Sequence, residues 1–495
     1  MQWNKGLAVK SVFVFILHLI ILLALVTLIL VWQKDGEFTD TFTINRANYL
    51  YIAFCIILLV WVAYFYFFFE NREILADGRK TSLVFCVVDV CFLLSYVFGK
   101  YVGMYARPVA LAALLFLMLI GRKEAIFMNI VCALLTFIVD NFADTTQTAQ
   151  NVYSSFVITF LAGMIAIFFG DTAKTRFQVV KIGVIILIPL EIIIFLLEFS
   201  GTGLAMGSVL EKEAMRKVLT EMGFGVFGGL MSAVLFLAIL PVFELMFSCL
   251  TPFRLRELTS SDAKLLKKLK EEAPGTYNHS VVVAQIAEAC AEALGEDADY
   301  ARAAAFYHDV GKLHQPEYFT ENQGEFNLHD ELTPELSADI IRSHTLDGYE
   351  LIRAHHLPHF LADVALEHHG TMPIRYFYAK ALKMTDGELN VEDFSYTGPK
   401  PKTKIAAIIM IADASEAVSR SLPKRTADAV EQAVREIIEE RMDLEQFSDC
   451  DITMADLTAI KQTLVNTLTG VYHKRVKYPS VRYKRSGNKT EGENE

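Results

Sequence analysis

The sequence predicts an all-α protein in two parts, a polytopic helical membrane domain followed by a soluble helical domain. Three observations carry that reading. The chain of 495 residues is 53% hydrophobic, and its apolar residues concentrate before about residue 250 while the charged ones follow it. From Ala273 to about Tyr478 the apolar residues recur at helical period, with little strand-like alternation. Ten of the twelve histidines fall between residues 279 and 369, which concentrates one metal-binding, proton-exchanging residue type in the second part.

Eight apolar stretches are long enough, or nearly so, to cross a bilayer: about 8–32, 47–69, 82–99, 103–120, 124–141, 152–170, 180–198 and 222–250. The fourth and fifth are short and joined by "GRKE". The first follows Lys5 and includes Lys10, is too long for a signal peptide and lacks a small-x-small cleavage site. Residues 1–32 therefore read as an uncleaved anchor helix, 33–46 as a short outer loop and 47–250 as a seven-helix membrane domain. Lys5, Lys10, Arg72, Arg79, Lys80, Arg122, Lys123, Lys174, Arg176 and Lys181 all fall on one side, while "NFADTTQTAQN" (141–151) on the other has no basic residue. The positive-inside tendency assigns the basic side, and with an even span count both termini, to the cytoplasm of a multi-pass cell-membrane protein. Asp89, Glu191 and Glu244 lie within spans, with His18 and Asp140 less clearly so; inter-helix hydrogen bonding is favoured for them over a ligand or proton pathway. The longest outer loop, 199–221, is expected to carry a short surface helix.

A net charge of -11 with no basic block excludes general binding of a nucleic-acid polymer. The seven cysteines are scattered without a CxxC pair and read as core residues. Residues 251–272 have leucines at helical spacing against a charged face, an amphipathic linker helix; 479–495 is a polar, disordered tail. Within 273–478, His279 shares a helix face with Val283, Ile286, Ala287 and Cys290, and His369 continues the Ala362, Ala365, Leu366 face. Asp413 sits in "KIAAIIMIADASEAVSR", a helix otherwise built for burial. A buried carboxylate without a partner costs several kcal/mol or changes protonation. A shared cation satisfies all of these residues at once.

Those residues, in their flanking segments, resemble a known family. The segments "GTYNHS" (275–280), "HDVGK" (308–312), "NLHDELTPELSADIIRSHTLDG" (327–348), "LEHHGT" (366–371) and "YTGPKP" (396–401) are similar to the seven-transmembrane HD-domain phosphohydrolases, the PgpH-type phosphodiesterases of cyclic di-AMP. The resemblance covers nearly the whole chain, with three departures. "QKDGEFTDTFTINR" (33–46) stands where the family usually has a large extracellular domain, Ile405 follows Lys404 where an acidic residue is expected, and "PEYFTEN" (316–322) differs from the usual wording. The HD-GYP enzymes of cyclic di-GMP share the HD and double-histidine motifs, but their Gly-Tyr-Pro is absent from "HHGTMPIRYFYAKA".

By this resemblance residues 273–478 form a metal-dependent HD domain that hydrolyses cyclic di-AMP to pApA. His279, His308, Asp309 and Asp413 would hold one ion and Asp309, His344, His368 and His369 the other, with Asp309 bridging. Such a site suits two divalent ions, Fe or Mn, and a water activated between them to attack phosphorus. Asp309 and Lys312 are the implied catalytic residues, Lys312 as a phosphate donor; Arg375, Tyr376 and Tyr378 are candidates for a phosphate clamp and base stacking. Expected partners are cyclic di-AMP and the bilayer, with a homodimer left open. The alternatives are an HD phosphohydrolase of cyclic di-GMP or ppGpp, and a membrane receptor that only binds nucleotide. His314, His329, His355, His356 and His359 are left outside the site.

Overall fold

A computed structural model describes residues 5–33, 46–143, 149–171, 173, 175–201, 212–324, 326–384, 388–423 and 426–471. The chain divides into two compact units, Met1–Glu257 and Leu258–Glu495. Among the described residues the only strand-like pairing is an isolated bridge between Pro373 and Ser395. The 33–46 loop (save Gln33 and Arg46) and the 479–495 tail lie outside the described residues.

The first unit contains α1 (Lys5–Gln33), α2 (Arg46–Glu70), α3 (Arg72–Ala76), α4 (Gly78–Tyr101), α5 (Leu111–Leu119), α6 (Arg122–Ala143), α7 (Ala149–Gly170), α8 (Arg176–Gly201) and α9 (Lys212–Phe247). Seven of these, all but α3 and α5, are long and apolar enough to cross a membrane. The expected fourth span, 103–120, folds instead as a 3-10 turn (Met104–Ala106) and the nine-residue α5, whose helix rises only about 14 Å. Its ends nevertheless reach both ends of α6. Arg107 pairs with Asp140 at 2.6 Å near the α6 C-terminus, and Gly121, at φ 145°, turns the chain directly into the α6 N-terminus. Seven long helices and one short segment thus run the length of the bundle.

Side-chain pairs mark its two ends. At one, Asn71 donates to Glu124 (2.7 Å), Arg122 pairs with Asp171 (2.8 Å) and Arg176 with Glu257 (2.6 Å). At the other, Lys100 donates to the Trp32 carbonyl (3.2 Å), Tyr105 to Glu198 (2.7 Å), and Lys217 pairs with Glu198 (3.3 Å). Following the helices through these marks, α1 begins and α9 finishes at the same end of the bundle. Of the ionisable residues within the bundle, Asp140 is paired with Arg107, Glu244 accepts from Thr251 and His18 contacts Ser82 at 3.1 Å. Asp89 Oδ1 and both Glu191 carboxylate oxygens are buried without a hydrogen bond. In the 199–221 region α9 starts at Lys212 and continues unbroken into the bundle, so residues 212–221 extend that helix; residues 202–211 lie outside the described residues.

The linker read as one amphipathic helix is two: α10 (Pro252–Leu258) and α11 (Lys264–Glu272), interrupted at 259–263. The second unit continues with α12 (Pro274–Leu294), α13 (Ala298–Tyr307), α14 (Pro334–Ala354), α15 (His359–Glu367), α16 (Arg375–Met384), α17 (Lys404–Ser421), α18 (Ala427–Asp443) and α19 (Met454–Val471). Local sequence starts and stops these helices. Pro274 opens α12 and Gly295, at φ 72°, closes it; Asp297, Thr333 and Thr403 cap α13, α14 and α17 by accepting from Tyr300, Leu336 and Ala406. The α12, α13 and α17 faces meet in an apolar core, where Ala303, Ala304 and Ala305 are fully buried against their neighbours. Small side chains let α13 approach closely, and the chain leaves that core at His308.

Candidate metal centre

Five segments each deliver ligand groups to one point. His279 projects from α12; His308 and Asp309 follow the last turn of α13; His344 lies on α14; His368 and His369 end α15; Asp413 lies on α17. His308, Asp309, His344 and His368 are almost wholly buried. Gly311 explains how the chain leaves Asp309. It has no positive φ, so conformational freedom at a turn is not its role; a Cβ there would lie 1.9 Å from the His344 carbonyl oxygen and 2.5 Å from the Gly348 nitrogen. The absence of a side chain lets the Val310–His314 turn press its backbone onto α14, setting Asp309 against His344.

Asp309 is the centre of the cluster. Its Oδ1 is 3.4 Å from His344 Nε2 and 3.6 Å from His368 Nε2, while its Oδ2 is 3.3 Å from His308 Nε2 and 3.7 Å from His279 Nε2. Asp413 Oδ1 sits 2.9 Å from His279 Nε2, and its Oδ2 is 3.9 Å from His369 Nδ1. Three ligand groups result, each with its donor atoms within 4.8 Å of one another: His344, His368 and His369; His279, His308 and Asp413; and His308, Asp309 and His368. The third group joins the first two.

The outward nitrogens are already committed. Nδ1 of His308 donates to the Ala305 carbonyl (2.7 Å), Nδ1 of His368 to that of Ala365 (2.8 Å), and Nδ1 of His344 to that of Ile341. Each bond uses the Nδ1–H and turns Nε2 toward the cluster, where the neutral imidazole would offer it as a lone pair. His308 Nε2 and Asp309 Oδ1 are buried without a hydrogen bond, and Asp309 Oδ2 is met by the Lys312 ammonium. Buried polar atoms in that condition are rare, and seven imidazole and carboxylate side chains converging on them are the donor set that divalent transition metals take. The residues therefore fit metal ions.

Charge separates strongly within the cluster. Burial disfavours the charged form of His308, yet the Asp309 and Asp413 carboxylates outweigh it and raise the imidazole to about 10. Burial also opposes ionised Asp309, but the His308 and Lys312 charges hold it well below the usual carboxylate range. Burial pushes His344 down to about 3 and, with the His368 charge, lowers His369 as well. Lys312 does not point outward as a free phosphate donor. Its Nζ lies 2.7 Å from Asp309 Oδ2 and 2.8 Å from Glu321 Oε1, so its charge is shared between two carboxylates.

Arg375, Tyr376 and Tyr378 are not gathered at this cluster. Arg375 is exposed and pairs with Glu440; the exposed Tyr376 ring meets Phe377; and Tyr378 packs against Phe394 with its hydroxyl 3.4 Å from the Leu389 carbonyl. Two aromatic rings do reach the cluster: Tyr396, stacked on His369 at 4.3 Å and edge-on to His344 at 6.0 Å, and Phe319, edge-on to His344 at 5.7 Å. Tyr396 belongs to "YTGPKP", whose motif character was visible while the contact with His369 was not. Glu321, Glu416 and Arg420 are the other residues at the cluster that sequence reasoning did not single out. His329 is buried and bonds the Tyr318 carbonyl (2.9 Å), while His314, His355, His356 and His359 are exposed.

The model of the HD domain matches residues 276–418, and that described as a 7TM receptor with intracellular HD hydrolase matches residues 46–251. The cyclic-di-AMP phosphodiesterase PgpH of Bacillus subtilis is 37% identical over 83% of this chain and 56% of its own length. That of Listeria monocytogenes is 34% identical over 90% of this chain and 63% of its own length. The chain thus spans about three fifths of these curated relatives. A solved structure of the L. monocytogenes PgpH HD domain in complex with cyclic-di-AMP is 48% identical, covers 43% of this chain and 99% of that one, and has a TM-score of 0.41.

Proposed function

Because the chain belongs to the family of seven-transmembrane proteins with an HD hydrolase domain, we propose that it is a membrane-anchored phosphodiesterase that hydrolyses cyclic di-AMP to pApA. The observation that carries this reading is the gathering of six further imidazole and carboxylate side chains around Asp309, whose Oδ1 is buried without a hydrogen bond. Two divalent ions, Fe or Mn, fit the donor set: His279, His308, Asp309 and Asp413 would hold one, Asp309, His344, His368 and His369 the other. When bound, such a pair supplies Lewis acidity to a phosphodiester and lowers the pKa of water toward neutrality.

The chain's own residues supply the rest. Asp309 is kept ionised and turned toward the ligands by Lys312, which Glu321 holds from behind. The i−3 carbonyl bonds orient three imidazoles with Nε2 toward the cluster, where each would be a neutral donor to a bound ion. Tyr396, half-buried and stacked on His369, takes the place of an aromatic face beside the reacting phosphate in preference to Tyr376 and Tyr378. The HD unit lies on the cytoplasmic side, the side of the basic loops.

The deciding experiment offers the purified full chain, loaded with Mn²⁺ or Fe²⁺, cyclic di-AMP, cyclic di-GMP and ppGpp. Cyclic di-AMP should be cleaved fastest, and Asp309→Ala should reduce turnover by at least about 10³-fold, in line with losing an interaction made to the transition state. Failure to cleave any dinucleotide with metal demonstrably bound would overturn the enzyme reading. Turnover unchanged in Asp309→Ala would overturn the site.

A further inference from the structure

Three of the cluster's histidines are oriented by carbonyls of their own chain segment, but His279 is not. Its Nδ1 lies 2.7 Å from Glu416 Oε2 on α17, a carboxylate that is 1% exposed. Glu416 is in turn gripped by Arg420 one turn further along, with Nη2 2.6 Å from Oε2 and 2.8 Å from Oε1 and Nε 3.2 Å from Oε1. Arg420 Nη2 is also 3.1 Å from His279 Nδ1. A guanidinium has only donors, so the acceptor that fixes an Nδ1–H there is the carboxylate. Asp413, Glu416 and Arg420 stand at i, i+3 and i+7, one face of one helix, so the ligand, the group behind a second ligand and its anchor share a rigid support.

We infer that Glu416, anchored by Arg420, is the positioning residue for the ion that His279, His308, Asp309 and Asp413 would share, and that it makes this the more tightly held of the two. The inference rests on the two-ion reading above. An anionic acceptor polarises the His279 N–H more than a carbonyl does, which raises the donor strength of Nε2 and fixes the ring against rotation. The carboxylate count points the same way. Asp309 and Asp413 would both serve this ion, with Asp413 Oδ1 2.9 Å from His279 Nε2 and Glu416 one imidazole behind, whereas the group His344, His368 and His369 has Asp309 close by and Asp413 Oδ2 at 3.9 Å from His369 Nδ1. Arg420 balances Glu416, so the added negative charge acts through the imidazole and not as an uncompensated buried ion.

Metal binding tests this directly. The full chain in lipid nanodiscs, stripped with a chelator, is titrated with Mn²⁺ and bound metal is counted by mass spectrometry, with electron paramagnetic resonance reporting whether the ions are paired. Wild type should take up two ions. Glu416→Gln should weaken one of them by about 10–100-fold, leave the other unchanged and replace the coupled signal with that of a single ion at intermediate Mn²⁺. Glu416→Asp should recover part of the loss. On a His344→Ala background Glu416→Gln should still weaken the remaining ion; on His279→Ala it should add nothing. Equal weakening of both ions, or of neither, overturns the inference. Arg420→Gln, at a half-exposed residue, should produce a smaller loss of the same ion, and decides the matter if Glu416→Gln fails to fold. A wild-type chain that binds no metal would sink the two-ion reading itself.

Discussion

Gly311 sits where two backbones touch, and the smallest substitution tests how much the site depends on that contact. In Gly311→Ala the new Cβ meets a carbonyl oxygen and an amide nitrogen of α14, neither of which can swing aside. The expected cost is about 1–3 kcal/mol of stability, read in a denaturant titration, with a larger fractional loss of bound metal because Asp309 and His344 are pushed apart. The histidines make a second prediction, on pH. Without metal, His344 and His369 take up a proton on unfolding between their lowered folded values and about 6.5, so stability rises with pH there. Above about 6.5 the folded His308 keeps a proton that the unfolded chain has lost, so stability falls until about 10. Metal-free protein should therefore melt highest near pH 6.5, and metal, which displaces those protons, should remove the alkaline fall. Equal alkaline slopes for chelated and loaded protein would contradict this. The seven candidate ligands that the fold gathers were legible because histidines and aspartates are conspicuous among apolar neighbours. Tyr396 and Glu416 were not: a tyrosine in a Gly-Pro segment and a glutamate in a helix are ordinary until their partners on distant segments are known.

At the scale of elements, the segment 316–322 does two jobs. Asn322 Oδ1 accepts from the Gly275 and Thr276 amides (2.9 and 3.2 Å), capping α12 from outside that helix, while Glu321 holds Lys312. Asn322→Ala should cost about 0.5–2 kcal/mol, as a lost helix cap does, in thermal unfolding of the second unit. It should also lower turnover, since the same segment positions Glu321; full activity at reduced stability would separate the two jobs. Helix periodicity and caps made α12, α13, α14 and α17 readable. The linker was read as one helix because its leucines keep their spacing from Leu255 to Leu269; the break at 259–263 falls in "TSSDA", whose Ser and Asp side chains compete for backbone groups and favour turns. The 103–120 stretch was read as a span from hydrophobicity alone, which does not register that Pro108 and Gly103 confine the helical part to nine residues.

For the whole molecule, the paired marks at the two ends of the bundle make sidedness testable. Arg216, on the first turns of α9, and Glu271, on α11, are both exposed and lie on opposite sides in the proposed orientation. On a cysteine-free background, a membrane-impermeant maleimide added to intact cells should label Arg216→Cys and not Glu271→Cys; the reverse pattern would invert the topology. Basic residues in short loops carry the proposed side, and the Arg107–Asp140 pair is the structural reason to count the short α5 segment with the seven long helices. The close backbone approaches around the cluster have a further consequence. A Cβ at Gly275 would collide with the Glu321 carbonyl, at Gly311 with that of His344 and at Gly398 with that of Leu366. The candidate ligands are thus hung on a frame whose joints are peptide against peptide. Unlike a zinc finger, which needs its metal to fold, such a frame would keep its shape when the proposed ions are removed.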